Sequence, residues 1–152
     1  MQSILEIYNQ GIQDRVATLE EDAKEIVYMK QWLDNHSSRY SVLVAKIHPG
    51  EIGGWAYLNP YSHRCAYSGV AGLSVYIRRE LRGAGPGSLL LSDLERVAKT
   101  NGFQKIVLMT FPFNLPGVGL YRKIGYRCVG IFANQGKLDS HFVDVMAMEK
   151  LL

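Results

Sequence analysis

The chain has 152 residues, 47% of them hydrophobic, which suits a single domain spanning 1–152 with a sizeable core and no internal repeat or linker. Its 17 Lys and Arg against 14 Asp and Glu leave a formal charge of +3, too slight and too scattered to argue for nucleic acid, while two cysteines without a C-x-x-C or a His cluster argue against a metal and a disulfide framework. Neither a secretory leader nor a run of about 18 apolar residues is found, so the expected compartment is the cytoplasm, away from membranes.

Ser3 followed three residues later by Glu6 has the pattern of a capping box, and Leu5, Tyr8 and Ile12 recur on one helical face, predicting a first helix. A second is predicted from about Ala23 to Asn35, with Ile26, Met29 and Leu33 spaced for burial. Ser41–Ile47 and Ile52–Leu58 are β-rich runs around the turn-like His48-Pro49-Gly50-Glu51, which predicts an antiparallel hairpin. Tyr67–Ile77 reads as the third strand, and a glycine-rich bend then leads into a helix from Gly87 to Asn101, with Leu90, Leu94, Val97 and Ala98 on one stripe. Lys105–Phe111 reads as a buried strand and Asn114–Ile124 as a helix stopped by Gly125; Tyr126–Asn134 and His141–Lys150 close the chain as a hairpin.

The stretch Ser74–Leu91, SVYIRRELRGAGPGSLLL, carries the chemistry. An apolar strand runs through a glycine-rich bend into an amphipathic helix, whose unpaired N–H groups and positive dipole end suit a phosphate or pyrophosphate. A dinucleotide fingerprint G-x-G-x-x-G fails, because Ser88 and Leu90 stand where its third glycine would fall. A P-loop fails as well, since no lysine lies between Lys46 and Lys99. What remains is R-x-x-G-x-G on Arg82, Gly85 and Gly87.

That pattern resembles the acyl-CoA pyrophosphate loop of the GNAT N-acetyltransferases, and the following strand, the helix with Leu120 and Tyr121, and Gly125-Tyr126 match the order found there. IYNQGIQDRVATLE, AYSGVAGLSVYI and GKLDSHFVDV narrow the resemblance to the phosphinothricin acetyltransferase-like branch, over nearly the whole chain from Ile4 to Leu152. The resemblance implies an α/β fold with a central, mostly antiparallel mixed sheet flanked by helices. The usual first strand is missing, because the chain opens almost directly on the first helix.

The resemblance also implies the site. Arg82, Gly83, Ala84, Gly85, Gly87 and Ser88 would wrap the acetyl-CoA pyrophosphate with main-chain N–H groups, and Pro86 would remove one donor. Val75, Tyr76 and Ile77 would pair with the pantetheine arm, with Asn114 near it. Tyr121 would be the acid that protonates the leaving thiolate, or an oxyanion donor. Tyr61, Arg64 and Tyr67 match the branch's aromatic-Arg-Ala-Tyr segment beside the acceptor pocket, where an arginine can grip a carboxylate or phosphinate.

Three departures bear on the chemistry. Gly72 stands where relatives carry a glutamate proposed as the base, Val143 where they often carry histidine or arginine, and Gly117 where a serine is expected. Substitute bases to consider are His63, His141 and Glu20. The leading expectation is therefore a homodimeric, acetyl-CoA-dependent enzyme that acetylates the α-amine of a small amino acid analogue of the phosphinothricin or methionine sulfoximine type, without a metal. Two alternatives stay open: an acetyl-CoA-binding protein with a sensor or interaction role, and an acetyltransferase acting on protein amines.

Overall fold

The computed structural model describes residues 1–152. Its elements run α1 (Gln2–Gln13), α2 (Ile26–Asp34), β1 (Val42–His48), β2 (Glu51–Pro60), β3 (Val70–Ile77), α3 (Pro86–Thr100), β4 (Lys105–Thr110), α4 (Leu115–Lys123), β5 (Arg127–Leu138) and β6 (His141–Leu151). The strands form one sheet in the order β1-β2-β3-β4-β6-β5. Every neighbouring pair is antiparallel except β3 and β4, which run parallel. No strand precedes α1.

Strand alternation sends successive side chains to opposite faces, and each face has its own core. On one side Ala71, Leu73, Ile106, Leu108, Met146 and Met148 meet α3, whose Leu90, Leu91, Leu94 and Ala98 are buried. Leu91 thus joins the stripe, and Val97 is only half-buried. On the other side α1 and α2 cover Trp55 and Tyr76, with Tyr57 packed alongside. These helices stop short of β4, so Met109 on that inner strand stays 52% exposed.

Local signals explain most boundaries. Pro86 opens α3 at its first turn, where the missing N–H costs nothing. Gly125, at φ 100°, ends α4; its N–H and that of Tyr126 donate back to Arg122 and Tyr121. Three expectations fail. The capping box does not form, because α1 starts at Gln2 and leaves Ser3 inside the helix; Glu6 accepts instead from the Gln2 amide at 3.3 Å. The third strand begins at Val70, since Cys65–Tyr67 coils into a short 3-10 turn. β5 continues past Asn134 to Leu138 because an irregularity between Phe132 and Gly136, with the Asp144 carboxylate accepting from the Asn134 N–H, lets the ladder resume. Cys65 and Cys128 are free thiols, and both are exposed rather than packed.

Candidate active site

β3 and β4 pair only through Val70–Gly72 and Lys105–Val107. From Leu73 onward the edge of β3 that faces β4 has no ladder partner, and the strands part around a cavity of about 500 Å³. Val75, Tyr76 and Ile77 line one wall; Asn114, which caps α4, and Gly117, Leu120 and Tyr121 on it line the other. The bend before α3 closes one end through Arg82, Gly83, Gly85, Gly87 and Ser88. A free strand edge can take up an extended, amide-bearing chain as an added strand.

The bend is glycine-rich for steric reasons. Gly83 and Gly85 have φ of 80° and 104°, which side-chain-bearing residues rarely adopt. A Cβ on Gly87 would lie 2.9 Å from Leu120 Cδ2, so a larger residue would push α3 and α4 apart. Within the bend, the Arg82 N–H donates to the Arg79 carbonyl and the Ala84 N–H to Leu81. The N–H groups of Gly83, Gly85, Gly87 and Ser88 have no main-chain acceptor, and they stand at the positive end of α3. Four free donors make a cradle that fits a pyrophosphate, fewer than the full Arg82–Ser88 run expected from the sequence. Ala84 belongs to the bend but does not line the cavity.

The Arg82 guanidinium is turned toward α1, where its Nη1 meets Asp14 Oδ2 at 2.5 Å while its Nε donates to the Ile77 carbonyl. Arg79 binds the same carboxylate at 2.7 Å. Partial burial works against ionisation of Asp14, yet the hydrogen bonds from Arg79 and Arg82 prevail and hold its carboxyl below the usual range. Asp14 thus ties the end of α1 to the bend. Ile7 and Gly11 of α1, with Val16 and Ala17 after it, form the roof of the cavity. Sequence reasoning missed this roof; a glycine inside α1 was its one signal, for a Cβ on Gly11 would lie 3.1 Å from the Tyr76 ring.

Tyr121 is buried beside the cavity, and burial pushes its hydroxyl up to about 12, so the phenol holds its proton across the neutral range. Asn114 caps α4, its Oδ1 accepting from the Gly117 N–H at 3.2 Å. A Cβ on Gly117 would fall 2.4 Å from Asn114 Nδ2, so a larger residue there would shift this amide.

Tyr61, Arg64 and Tyr67 lie elsewhere. They sit on the exposed connection before β3, and the two tyrosine rings meet edge to face at 6.1 Å. None of the three lines the cavity. The suggested substitute bases do not line it either: Glu20 binds Lys24 at 2.5 Å, His141 Nδ1 lies 2.8 Å from the Asp139 carbonyl, and His63 is exposed on the surface connection.

Residues 1–147 match the model of the acetyltransferase (GNAT) domain family. The chain belongs to the GNAT acetyltransferases. The L-methionine sulfoximine/L-methionine sulfone acetyltransferase of Pseudomonas aeruginosa is 28% identical over 147 residues, covering 96% of this chain and 86% of its own. Among solved structures, the phosphinothricin acetyltransferase of Sinorhizobium meliloti in complex with AcCoA superposes with a TM-score of 0.92 at 28% identity, over 99% of this chain and 82% of its own. The ribosomal-protein-alanine N-acetyltransferase of Brucella melitensis also reaches 0.92, at 27% identity over 97% of this chain and 91% of its own. The GNAT fold, the acetyltransferase class and acetyl-CoA as cosubstrate follow for this chain. No helix is long and apolar enough to cross a membrane.

Proposed function

We propose that this protein transfers the acetyl group of acetyl-CoA to the α-amine of a small amino acid analogue of the methionine sulfoximine or phosphinothricin type. The observation that carries the reading is the cavity between β3 and α4, where a free strand edge, four free N–H donors and a protonated tyrosine converge. Acetyl-CoA supplies the electrophilic thioester. The N–H groups of Gly83, Gly85, Gly87 and Ser88 hold its pyrophosphate, and the edge of Val75–Ile77, with Asn114 opposite, aligns the pantetheine arm. The Tyr121 hydroxyl gives its proton to the departing sulfur.

The acceptor approaches from the sheet face that α1 and α2 leave open beyond Gly72, and Arg64, exposed on the connection outside the cavity and without an ion pair in the chain, serves as the anchor for an acceptor carboxylate together with Tyr61 and Tyr67. Relatives that act on such amino acids support this class of acceptor. The reading makes the protein a cytoplasmic homodimer, supported by apolar residues exposed on the final hairpin, among them Val129, Ile131 and Phe142. Gly72 favours one alternative, an acetyl-CoA-binding protein with impaired turnover and a sensor or interaction role. Release of free CoA in the presence of methionine sulfoximine, phosphinothricin and ordinary amino acids separates the two. Turnover with one of them upholds the enzyme, and tight acetyl-CoA binding with no turnover on any favours the alternative.

A further inference from the structure

Gly72 is not an empty position. It pairs with Asn59 of β2 across the antiparallel ladder, so the side-chain directions of 59 and 72 share one face. A Cβ built on Gly72 would fall 1.9 Å from Asn59 Oδ1 and 2.9 Å from its Cγ. The amide therefore fills the volume in which a side chain at 72 would begin. A carboxylate at 72 and the present Asn59 conformation exclude one another.

The place matters as much as the contact. Asn59, Gly72, Val107 and Glu149 make a row across β2, β3, β4 and β6, at the point where the parallel pairing of β3 and β4 ends; none of the four lines the cavity, whose β3 wall starts at Val75. Glu149 is spent, held between Lys105 and Arg127, whose hydrogen bonds keep its carboxyl below the usual range. Tyr57 is turned to Ser74 and Tyr76, His36 just past α2 lies tilted against Trp32 at 4.5 Å, and Glu20 binds Lys24. Tyr8 of α1 packs edge-on to Tyr76 and, like it, is pushed up by burial. The half-buried Asn59 amide makes no hydrogen bond within the chain.

We propose that Asn59 is the residue that positions the acceptor amine, its Oδ1 accepting an amine N–H at the vertex of the parted strands in the volume a carboxylate at 72 would take. This rests on the acetyl transfer proposed above. An amide accepts a hydrogen bond but does not take up a proton near neutrality. The acceptor must therefore arrive as the free amine. Its nitrogen lone pair forms the new C–N bond, the C–S bond breaks with its electrons on sulfur, and the sulfur takes the Tyr121 proton. The proton lost from nitrogen leaves to water, and water restores Tyr121.

The test compares the protein with Asn59→Ala and Asn59→Asp, using acetyl-CoA and L-methionine sulfoximine, together with a crystal structure of the acetyl-CoA complex. With the amine about 3.3 Å from the carbonyl carbon and within hydrogen-bond reach of Oδ1, that oxygen should stand within about 6 Å of the thioester carbon. Asn59→Ala should lower kcat/KM for the amine about tenfold, mostly through KM, and leave calorimetric acetyl-CoA affinity unchanged. The unaltered protein should show kcat/KM rising with pH up to the amine's own pKa, with no inflection from an enzyme carboxylate. Asn59→Asp should add that inflection. An unchanged kcat/KM in Asn59→Ala, or an Oδ1 farther than about 6 Å from the carbon, overturns the proposal. If methionine sulfoximine is not acetylated, the distance in the complex decides for Asn59 alone, while loss of turnover with intact acetyl-CoA binding counts against the proposed function.

Discussion

Replacing Gly85 by alanine isolates the backbone demand of the bend. Gly85 has φ 104°, and a Cβ there would meet nothing within 4 Å, so the substitution adds no contact and fills no cavity. Its cost is the left-handed backbone alone, about 1–2 kcal/mol. That strain has two outlets. If the bend keeps its shape in the free protein, the strain lowers stability, and Tm falls by about 2–8 °C for a chain of this length. If the bend relaxes instead, Gly83, Gly85, Gly87 and Ser88 no longer present their N–H groups together, Tm holds, and acetyl-CoA binding weakens by a factor of about 5–30. The two losses should sum to about 1–2 kcal/mol however they divide. Differential scanning calorimetry and titration calorimetry with acetyl-CoA read both. Unchanged Tm together with unchanged affinity would refute the claim that the bend is a preformed cradle built on positive φ.

Tyr121→Phe should lower kcat by about 10²–10³ with little change in acetyl-CoA affinity, measured by steady-state kinetics beside calorimetry. Because burial holds the hydroxyl near 12, the pH profile of the unaltered protein should show no tyrosine inflection below about pH 10. Gly72→Glu requires the Asn59 amide to turn aside, because its Cβ would fall 1.9 Å from Oδ1, so Gly72→Glu with Asn59→Gly, which gives the carboxylate room, should raise kcat/KM at neutral pH more than Gly72→Glu alone. Asp14 has a folded-state pKa below its unfolded one, so its stabilisation is present above the unfolded value of about 3.9 and is lost as pH falls through the folded value. Asp14→Asn should therefore lower Tm at neutral pH and flatten the decline on the acid side, read by melts from about pH 2 to 7.

What could be read from the sequence and what could not divide along sequence distance. The R-x-x-G-x-G bend and the Gly125 stop were legible because a positive φ demands glycine at the position itself, and the α3 stripe because helical spacing repeats within a few residues. The resemblance to the GNAT order of strand, tyrosine-bearing helix and glycine singles out Tyr121, and the structure sets it beside the cavity. The Asp14–Arg82 tie joins residues 68 apart, and no local pattern announces it. Asn59 escaped notice for the same reason: its meeting with Gly72 exists only once the register of β2 on β3 is known, and a shift of one residue would send the amide to the other face. The Ser3–Glu6 pair misled because a capping box needs its first member at the N-cap, and in α1 Met1 holds that position two residues earlier.

Acetyl transfer to a small amine is the step on which the proposed function rests. The most direct measurement incubates the purified protein with acetyl-CoA and L-methionine sulfoximine, then follows free CoA and the acetylated amine together by mass spectrometry. Both should appear in equal amounts, and Tyr121→Phe should suppress both. Tight acetyl-CoA binding with neither product, for methionine sulfoximine, phosphinothricin and ordinary amino acids alike, would contradict the proposed function.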